Sequence, residues 1–501
     1  MGQRDPFNEI NETDGQHLLW RWAGRLLVFA GLLVLLAALG RGLLVYARHF
    51  QTALEYPYHL NYGEGPLLAQ AVRLANGEGI YDLEVPPYTI TNYPPLYMLL
   101  QAPLVSALGP AYSYGRLLSL LGIGLAMIAL AAILHAATRD WIAALVGALL
   151  LPVIPYILHW SALARIDSLA LGLSLAGIAV VVVAPRRRAA VIAAALLLTA
   201  AAYTRQTYLA AAPLAAFAWL WGAGARRRAL IFAVLFGSLV LGLFALLLVW
   251  TEGGIFFHIV TANVNLHDYN LLAFYVEEIV KTMPLLVALA LAVVVFSPLG
   301  RQRIWCVAAP YTAAALATAA TISKIGSDIN YLYELSAALC LAAGAAAGWL
   351  RRLPALRMLL LIALAGQAWL LVDRAEQRYV PIIVERAAQR EAVATLLDSI
   401  RAADGLVLAD DAMGLLPLAG RPILFQPFEM SQLAQVGVWD QAPFLAHLEY
   451  GTYPYVLIYQ PYRNPGLRRE RWTAEMLRVI NNHYRPLRQA AETIIYRHAG
   501  S

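Results

Sequence analysis

Long apolar runs, parted by short polar stretches, fill the first three quarters of this chain. A helix needs ~20 mostly apolar residues to cross a bilayer. Runs of that order lie at 26–46, 112–137, 141–160, 163–184, 229–250, 276–297, 303–320, 330–350 and 355–372. Another, at 189–222, is interrupted by Thr204-Arg205-Gln206, and the run 97–109 is too short to span. Beyond residue 375 the rhythm changes. Val384–Ala403 and Trp472–His483 have helical spacing, whereas Leu406–Ala409, Ile423–Gln426 and Tyr455–Tyr459 are apolar runs of strand length bounded by Gly, Asp or Pro. The pattern predicts a polytopic α-helical membrane protein over 1–375 that carries a small α/β domain over 376–501.

Basic residues assign a side to each polar stretch. Arg186-Arg187-Arg188, Arg226-Arg227-Arg228, the pair Arg301 and Arg303, and the group Arg351, Arg352 and Arg357 all sit in short loops. Lys and Arg are in excess on the cytoplasmic side. Two clusters on one side require an even number of crossings between them. The run 189–222 is therefore expected to cross twice, with a tight outer turn at Tyr203–Gln206. The same parity between Arg25 and Arg139 leaves 97–109 at the interface or re-entrant. About 11 transmembrane helices result, with the N-terminus cytoplasmic and the tail extracytoplasmic. The first run starts near Leu26 and ends without an A-x-A-like cleavage site, so it reads as a signal anchor. The first outer loop, 47–95, then shares the outer side with 159–167, 203–206, 251–275, 321–329 and the tail, and these segments can converge on one outward-facing cavity.

Composition agrees. The chain of 501 residues is 60% hydrophobic and 14% charged, against ~25% charge in soluble domains, which excludes a soluble enzyme and a disordered chain. The net charge of +6 rests on 35 arginines and two lysines, Lys281 and Lys324. In such a chain that surplus belongs to inside loops, and no nucleic-acid partner is expected. Cys306 and Cys340 lie in apolar runs and form neither a disulfide framework nor a metal site. No Walker loop, GxGxxG or HExxH motif occurs, so no cofactor is expected; no ligand cluster stands out, and metal dependence is left open.

The candidate chemistry lies in the outer segments. Glu64, in Asn61-Tyr62-Gly63-Glu64-Gly65-Pro66, stands just ahead of an amphipathic helix. A carboxylate there suits the helix dipole and Pro66 suits the first turn; the same carboxylate at the membrane surface is a candidate general base. Arg165 and Asp167 flank the outer end of a span, where an ion pair, a helix cap or a functional role are all open. Arg205 sits in the tight turn, as a snorkelling residue or an anion ligand. Lys324 lies on the outer side against the positive-inside bias and needs a partner, either Asp328, Glu334 or an anionic head group. His267-Asp268 is a weak candidate for a paired base. Trp160, Tyr62, Tyr93 and Tyr331 are interfacial anchors or stacking platforms. Asp410-Asp411 and Glu429 read as turn residues and caps.

Three patches carry a family resemblance. Gly63-Glu64-Gly65 followed by Gly77-Glu78-Gly79-Ile80-Tyr81, then Tyr93-Pro94-Pro95-Leu96, then Arg165-Ile166-Asp167, occur in order on one side. Together they resemble the GT-C superfamily of membrane glycosyltransferases, in the branch that contains bacterial protein O-mannosyltransferases and lipid A aminoarabinose transferases. That family often has two acids in the first loop; here Gly63 replaces the first. The resemblance implies a polyprenyl-phosphate sugar donor, an acceptor glycan, lipid or protein, and inverting displacement at the anomeric carbon; such donors generally do without a metal in that superfamily. It implies Glu64 as base, with Asp167 orienting the acceptor or assisting Glu64, and Arg205, Lys324 and Arg165 as donor phosphate ligands. Tyr62, Tyr93, His267, Asp328 and Tyr331 would bind substrate. The competing readings are a transporter or flippase of lipid-linked sugars and a non-catalytic assembly or sensor protein. Absence of an internal repeat and clustering of ionisable groups at the outer edge speak against the first of these.

Overall fold

Helices dominate the computed structural model, which describes residues 6–83, 85–263, 266–298, 303–461 and 466–500. Arg301, part of one basic cluster, lies outside the described residues. Six described helices are long and apolar enough to cross a membrane: Trp22–Glu55, Tyr112–Thr138, Arg226–Trp250, Trp305–Ser323, Ile329–Arg352 and Pro354–Ala388. The helices Tyr269–Thr282 and Pro284–Phe296, bent by 94° at their junction, count as a seventh if taken as one span. Shorter apolar helices at Leu96–Leu108, Trp141–Val153, Asp167–Val183, Arg188–Thr204 and Gly254–Asn263 fill the bundle.

Proline accounts for two departures from the hydropathy pattern. The run 276–297 is not one straight span, because Pro284 opens a new helix and Met283 before it leaves the helical region (φ −130°, ψ 45°). The run 141–160 is split into Trp141–Leu150, a 3₁₀ turn at Leu151–Val153 and Pro155–Trp160, with Pro152 and Pro155 at the breaks. The interruption at Thr204-Arg205-Gln206 does break the chain: Arg188–Thr204 ends, Arg205 is extended (φ −150°, ψ 121°), and Ala211–Gly222 follows. Small residues let the bundle close. A Cβ on Gly172 would lie 2.3 Å from the Gly122 carbonyl oxygen and one on Gly122 would lie 2.4 Å from that of Ser168, so Tyr112–Thr138 and Asp167–Val183 meet backbone to backbone there.

The tail folds around a four-stranded sheet, β1 (Val407–Ala409), β2 (Tyr455–Tyr459), β3 (Tyr484–Ala490) and β4 (Thr493–His498), in the order β1-β2-β4-β3. β1 runs parallel to β2, and the other pairings are antiparallel. The expected strand at Ile423–Gln426 is not part of this sheet. Its backbone pairs instead with the first outer loop, where Tyr88 N donates to the Leu424 carbonyl (2.8 Å) and Gln426 N to the Tyr88 carbonyl (3.0 Å). The expected helix Val384–Ala403 is two, Val380–Ala388 and Arg390–Ala402. Tyr88 and Ile90 of the loop and Phe425, Phe444 and Trp472 of the tail share one apolar core. Loop and tail are thereby held together over one end of the bundle.

Candidate functional site

A polar cavity of about 230 Å³ opens where the loop 56–95, the Arg165 turn, the 326–330 segment and the tail converge. Tyr62, Tyr93, Arg165, Asp328, Asn330 and Glu429 line it. Beside it runs a largely apolar groove of about 700 Å³, walled by Ala202, Val240, Phe244 and Ile259 and carrying Gln206, His267 and Lys324. Asn263 lines both spaces, and the neighbours Tyr93/Pro94 and Asn330/Tyr331 each contribute one residue to either side. The groove thus adjoins the cavity along a shared wall.

Glu64 lies apart from the cavity. Its side chain is fully buried and does not line the cavity. Each carboxylate oxygen accepts two hydrogen bonds: Oε1 from Ala164 N (2.6 Å) and Arg116 Nε (3.2 Å), Oε2 from Leu60 N (2.5 Å) and Arg116 Nη2 (3.2 Å). Arg116 in turn donates to the carbonyls of Ala53, Tyr56 and Tyr58. Burial alone would raise the Glu64 pKa, but the Arg116 guanidinium and the two backbone donors bring it below the usual carboxylate range. With four donors on its two oxygens, the carboxylate anchors the start of the helix Glu64–Ala75.

Asp167 and Arg205 are also committed. They form a buried ion pair, Asn330 Nδ2 donates to Asp167 Oδ1 (3.0 Å), and Arg205 donates to the Asn330 carbonyl (3.2 Å) and lies 4.5 Å from the Tyr331 ring centre. Neither lines the cavity. The pair fixes Asn330 and Tyr331, which do line the two spaces.

Arg165 is different. Its guanidinium lies on the cavity wall over Trp160 (5.2 Å) and Tyr93 (5.9 Å) and donates to the Tyr93 hydroxyl (3.3 Å); its Nε makes no hydrogen bond among the described residues but lies 3.9 Å from Asp167 Oδ2, the ion pair open from the sequence. A Cβ on Gly63 would stand 1.5 Å from Arg165 Nη1. Absence of a side chain at 63, the position of the missing acid, is what admits this guanidinium.

Lys324 borders the groove and forms no ion pair among the described residues, so the expected bridges to Asp328 or Glu334 are not made. Its backbone bridges to His267, whose Nδ1 lies 2.7 Å from the Ser323 hydroxyl. Asp268 caps the helix Tyr269–Thr282 through Asn270 N, so no His267–Asp268 pair forms. Asp328 Oδ1 accepts from Ile329 N (2.7 Å) and the Tyr275 hydroxyl (3.4 Å) on the cavity rim. Among the described residues no group of His, Cys, Asp and Glu is arranged to hold a metal ion.

Two residues escaped the sequence reading. Arg116 was detectable as a charge inside an apolar run. Glu429, read as a cap, lies in the first turn of the helix Pro427–Gln435 but faces the cavity, where its Oε2 accepts from the Tyr62 hydroxyl (3.0 Å). Burial pushes its pKa up, against the pull of the Tyr62 hydroxyl and of Arg471 and Arg165. Arg471 lies 4.5 Å from the Tyr62 ring centre and bonds Asp411 (3.1 Å), which also pairs with Arg386 (3.2 Å) and approaches His59 (3.6 Å). This buried network ties the tail to the loop 56–95.

No family model and no curated protein matches the sequence. Solved structures do match in fold. ArnT of Cupriavidus metallidurans in the apo state is 14% identical, with a TM-score of 0.61 over 91% of this chain and 96% of that one. The same enzyme bound to undecaprenyl phosphate gives 14% and 0.62 over 92% and 98%. The oligosaccharyltransferase of Archaeoglobus fulgidus, in complex with Zn and sulfate, gives 12% and 0.52 over 90% and 71%. ArnT is an aminoarabinose transferase, and both proteins are GT-C glycosyltransferases. The chain shares the fold of these two proteins.

Proposed function

We propose that the chain is a membrane glycosyltransferase that moves a sugar from a polyprenyl-phosphate donor to an acceptor hydroxyl at the outer membrane face, with inversion at the anomeric carbon. The observation that carries the reading is the junction of a largely apolar groove with a polar cavity, with Lys324 and Arg165 on either side of it. The groove suits a prenyl chain. The two cations suit the phosphate between the chain and the sugar, Lys324 as a point charge and Arg165 as a fork. The solved ArnT complex with undecaprenyl phosphate, in the same fold, supports that class of donor.

In this reading the roles of the expected site residues are redistributed. Glu64 and Asp167 are positioning residues, the first holding Arg116 and the helix behind the cavity, the second holding Arg205 and, through Asn330, the shared wall. Tyr62, Tyr93 and Tyr331 contact substrate; His267 and Asp328 shape the rim. Phosphate is a good leaving group, so a base for the acceptor and cations for the departing phosphate suffice. About 11 crossings, a cytoplasmic N-terminus and an extracytoplasmic 376–501 complete the proposal.

Purified protein in lipid nanodiscs, given radiolabelled undecaprenyl-phosphate sugars and a lipid extract as acceptor, tests it. Label appearing in a second product and release of undecaprenyl phosphate are expected. Label that only crosses the bilayer would make the protein a transporter.

A further inference from the structure

We propose that Glu429, contributed by the tail, is the general base that deprotonates the acceptor hydroxyl; this rests on the transferase reading above. Single displacement needs the nucleophile on the side of the anomeric carbon opposite the leaving group. The phosphate side is the wall shared with the groove, formed by Tyr93, Asn263 and Asn330. Glu429 and Tyr62 line the polar cavity and not the groove. Asp328, the other carboxylate on the cavity, belongs to the same short segment as Lys324 and caps its own turn through Ile329 N. Glu64 is enclosed behind the wall, and position 63 has no side chain. Glu429 is therefore the carboxylate that faces the attacking side among the described residues.

The local chemistry suits the role. Tyr62 donates to Oε2 and orients the carboxylate. The charged and titratable groups around it are Tyr62 and Arg165 from the membrane part and Arg471 from the tail. Burial nonetheless keeps the carboxyl above its ordinary range, which makes it a better proton acceptor than a solvated glutamate. In the step, Glu429 takes the hydroxyl proton as the acceptor oxygen bonds to the anomeric carbon. The bond from that carbon to the phosphate oxygen breaks, and its electron pair leaves with the polyprenyl phosphate. The tail is then part of the active site, and the acceptor enters between it and the first outer loop.

The test compares Glu429→Gln, Glu429→Asp and Asp328→Asn in the full chain, with radiolabelled undecaprenyl-phosphate mannose, glucose and arabinose as donors and undecaprenyl phosphate as the binding probe. Glu429→Gln is expected to lower turnover by ~10²–10⁴-fold and to leave undecaprenyl phosphate affinity within about twofold. The retained affinity establishes that the variant is folded. Glu429→Asp should recover part of the rate, and Asp328→Asn should cost less than about tenfold. The wild-type rate should fall on the acid side with a midpoint above ~4.3, the ordinary glutamate value, and this limb should vanish in Glu429→Gln. A Glu429→Gln protein that binds the lipid and turns over within threefold of wild type overturns the inference alone. A wild type that transfers no sugar overturns the transferase reading as well.

Discussion

The Glu64–Arg116 corner and the Glu429–Tyr62 corner both place a carboxylate at the first outer loop, and they differ in what surrounds it. Glu64 is fully enclosed, opposite a guanidinium, with four donors on its two oxygens. Glu429 faces an open cavity, with a neutral hydroxyl on one oxygen and its nearest cations farther off. The first arrangement lowers the pKa and builds structure; the second raises it and leaves room for a reacting group. The cations divide the same way. Arg116 and Arg205 are paired and line neither space, whereas Lys324 and Arg165 face the two spaces, Arg165 with Asp167 3.9 Å behind it. A charge enclosed with its partner supports the site, and a charge that faces a cavity is available to a ligand.

Breaking a member of the paired set should have the largest effect. Arg116→Met leaves Glu64 buried without its cation, and loss of one partner of a buried pair costs ~3–5 kcal/mol. Thermal unfolding of the purified protein should show that loss, and Arg116→Met with Glu64→Leu should recover part of it. A single variant as stable as wild type would remove the contrast between the corners. Lys324→Ala should do the reverse, lowering undecaprenyl phosphate affinity by ~10–100-fold, the equivalent of one charged hydrogen bond, with the melting temperature unchanged. Smaller still is the pH effect at the tail. Burial would raise the Asp411 pKa, but Arg386, His59 and Arg471 hold it well below the usual range. The stability it contributes is therefore present above the ordinary carboxylate value of ~3.9 and lost as pH falls below it. Asp411→Asn should flatten that part of the stability profile. Gly63→Ala should have the least effect on folding, since its Cβ meets only the movable end of Arg165. Transfer should nevertheless fall a fewfold, because the guanidinium must leave its place on the cavity wall.

Much of the membrane part was legible because its apolar runs are long and its charges are few. The interruption at Arg205 and the convergence of Tyr62, Tyr93, Arg165 and Asp328 on one cavity follow from polar segments placed between those runs. The bend at Met283–Pro284 was legible in principle, since the proline is in plain view within the run. Roles were harder to read than places. Nothing in Gly63-Glu64-Gly65 reveals that Arg116, 52 residues later, closes on Glu64. Position 429 sits behind a proline at a helix start and looks like any cap; only the pairing of 424–426 with Tyr88 brings it to the cavity. The β3–β4 hairpin was missed for a local reason. Its turn uses Ala491 and Glu492 at φ 47° and 58°, where Asn-Gly or Asp-Gly would have announced it.

The most direct measurement is the location of undecaprenyl phosphate bound to this protein, by electron cryo-microscopy in nanodiscs. The account predicts the prenyl chain in the groove between Ala202, Val240 and Ile259, and the phosphate within hydrogen-bond reach of Lys324 or Arg165. A lipid seated instead in the separate apolar cavity between Leu272, Val287 and Leu339, with its phosphate remote from both cations, would contradict it.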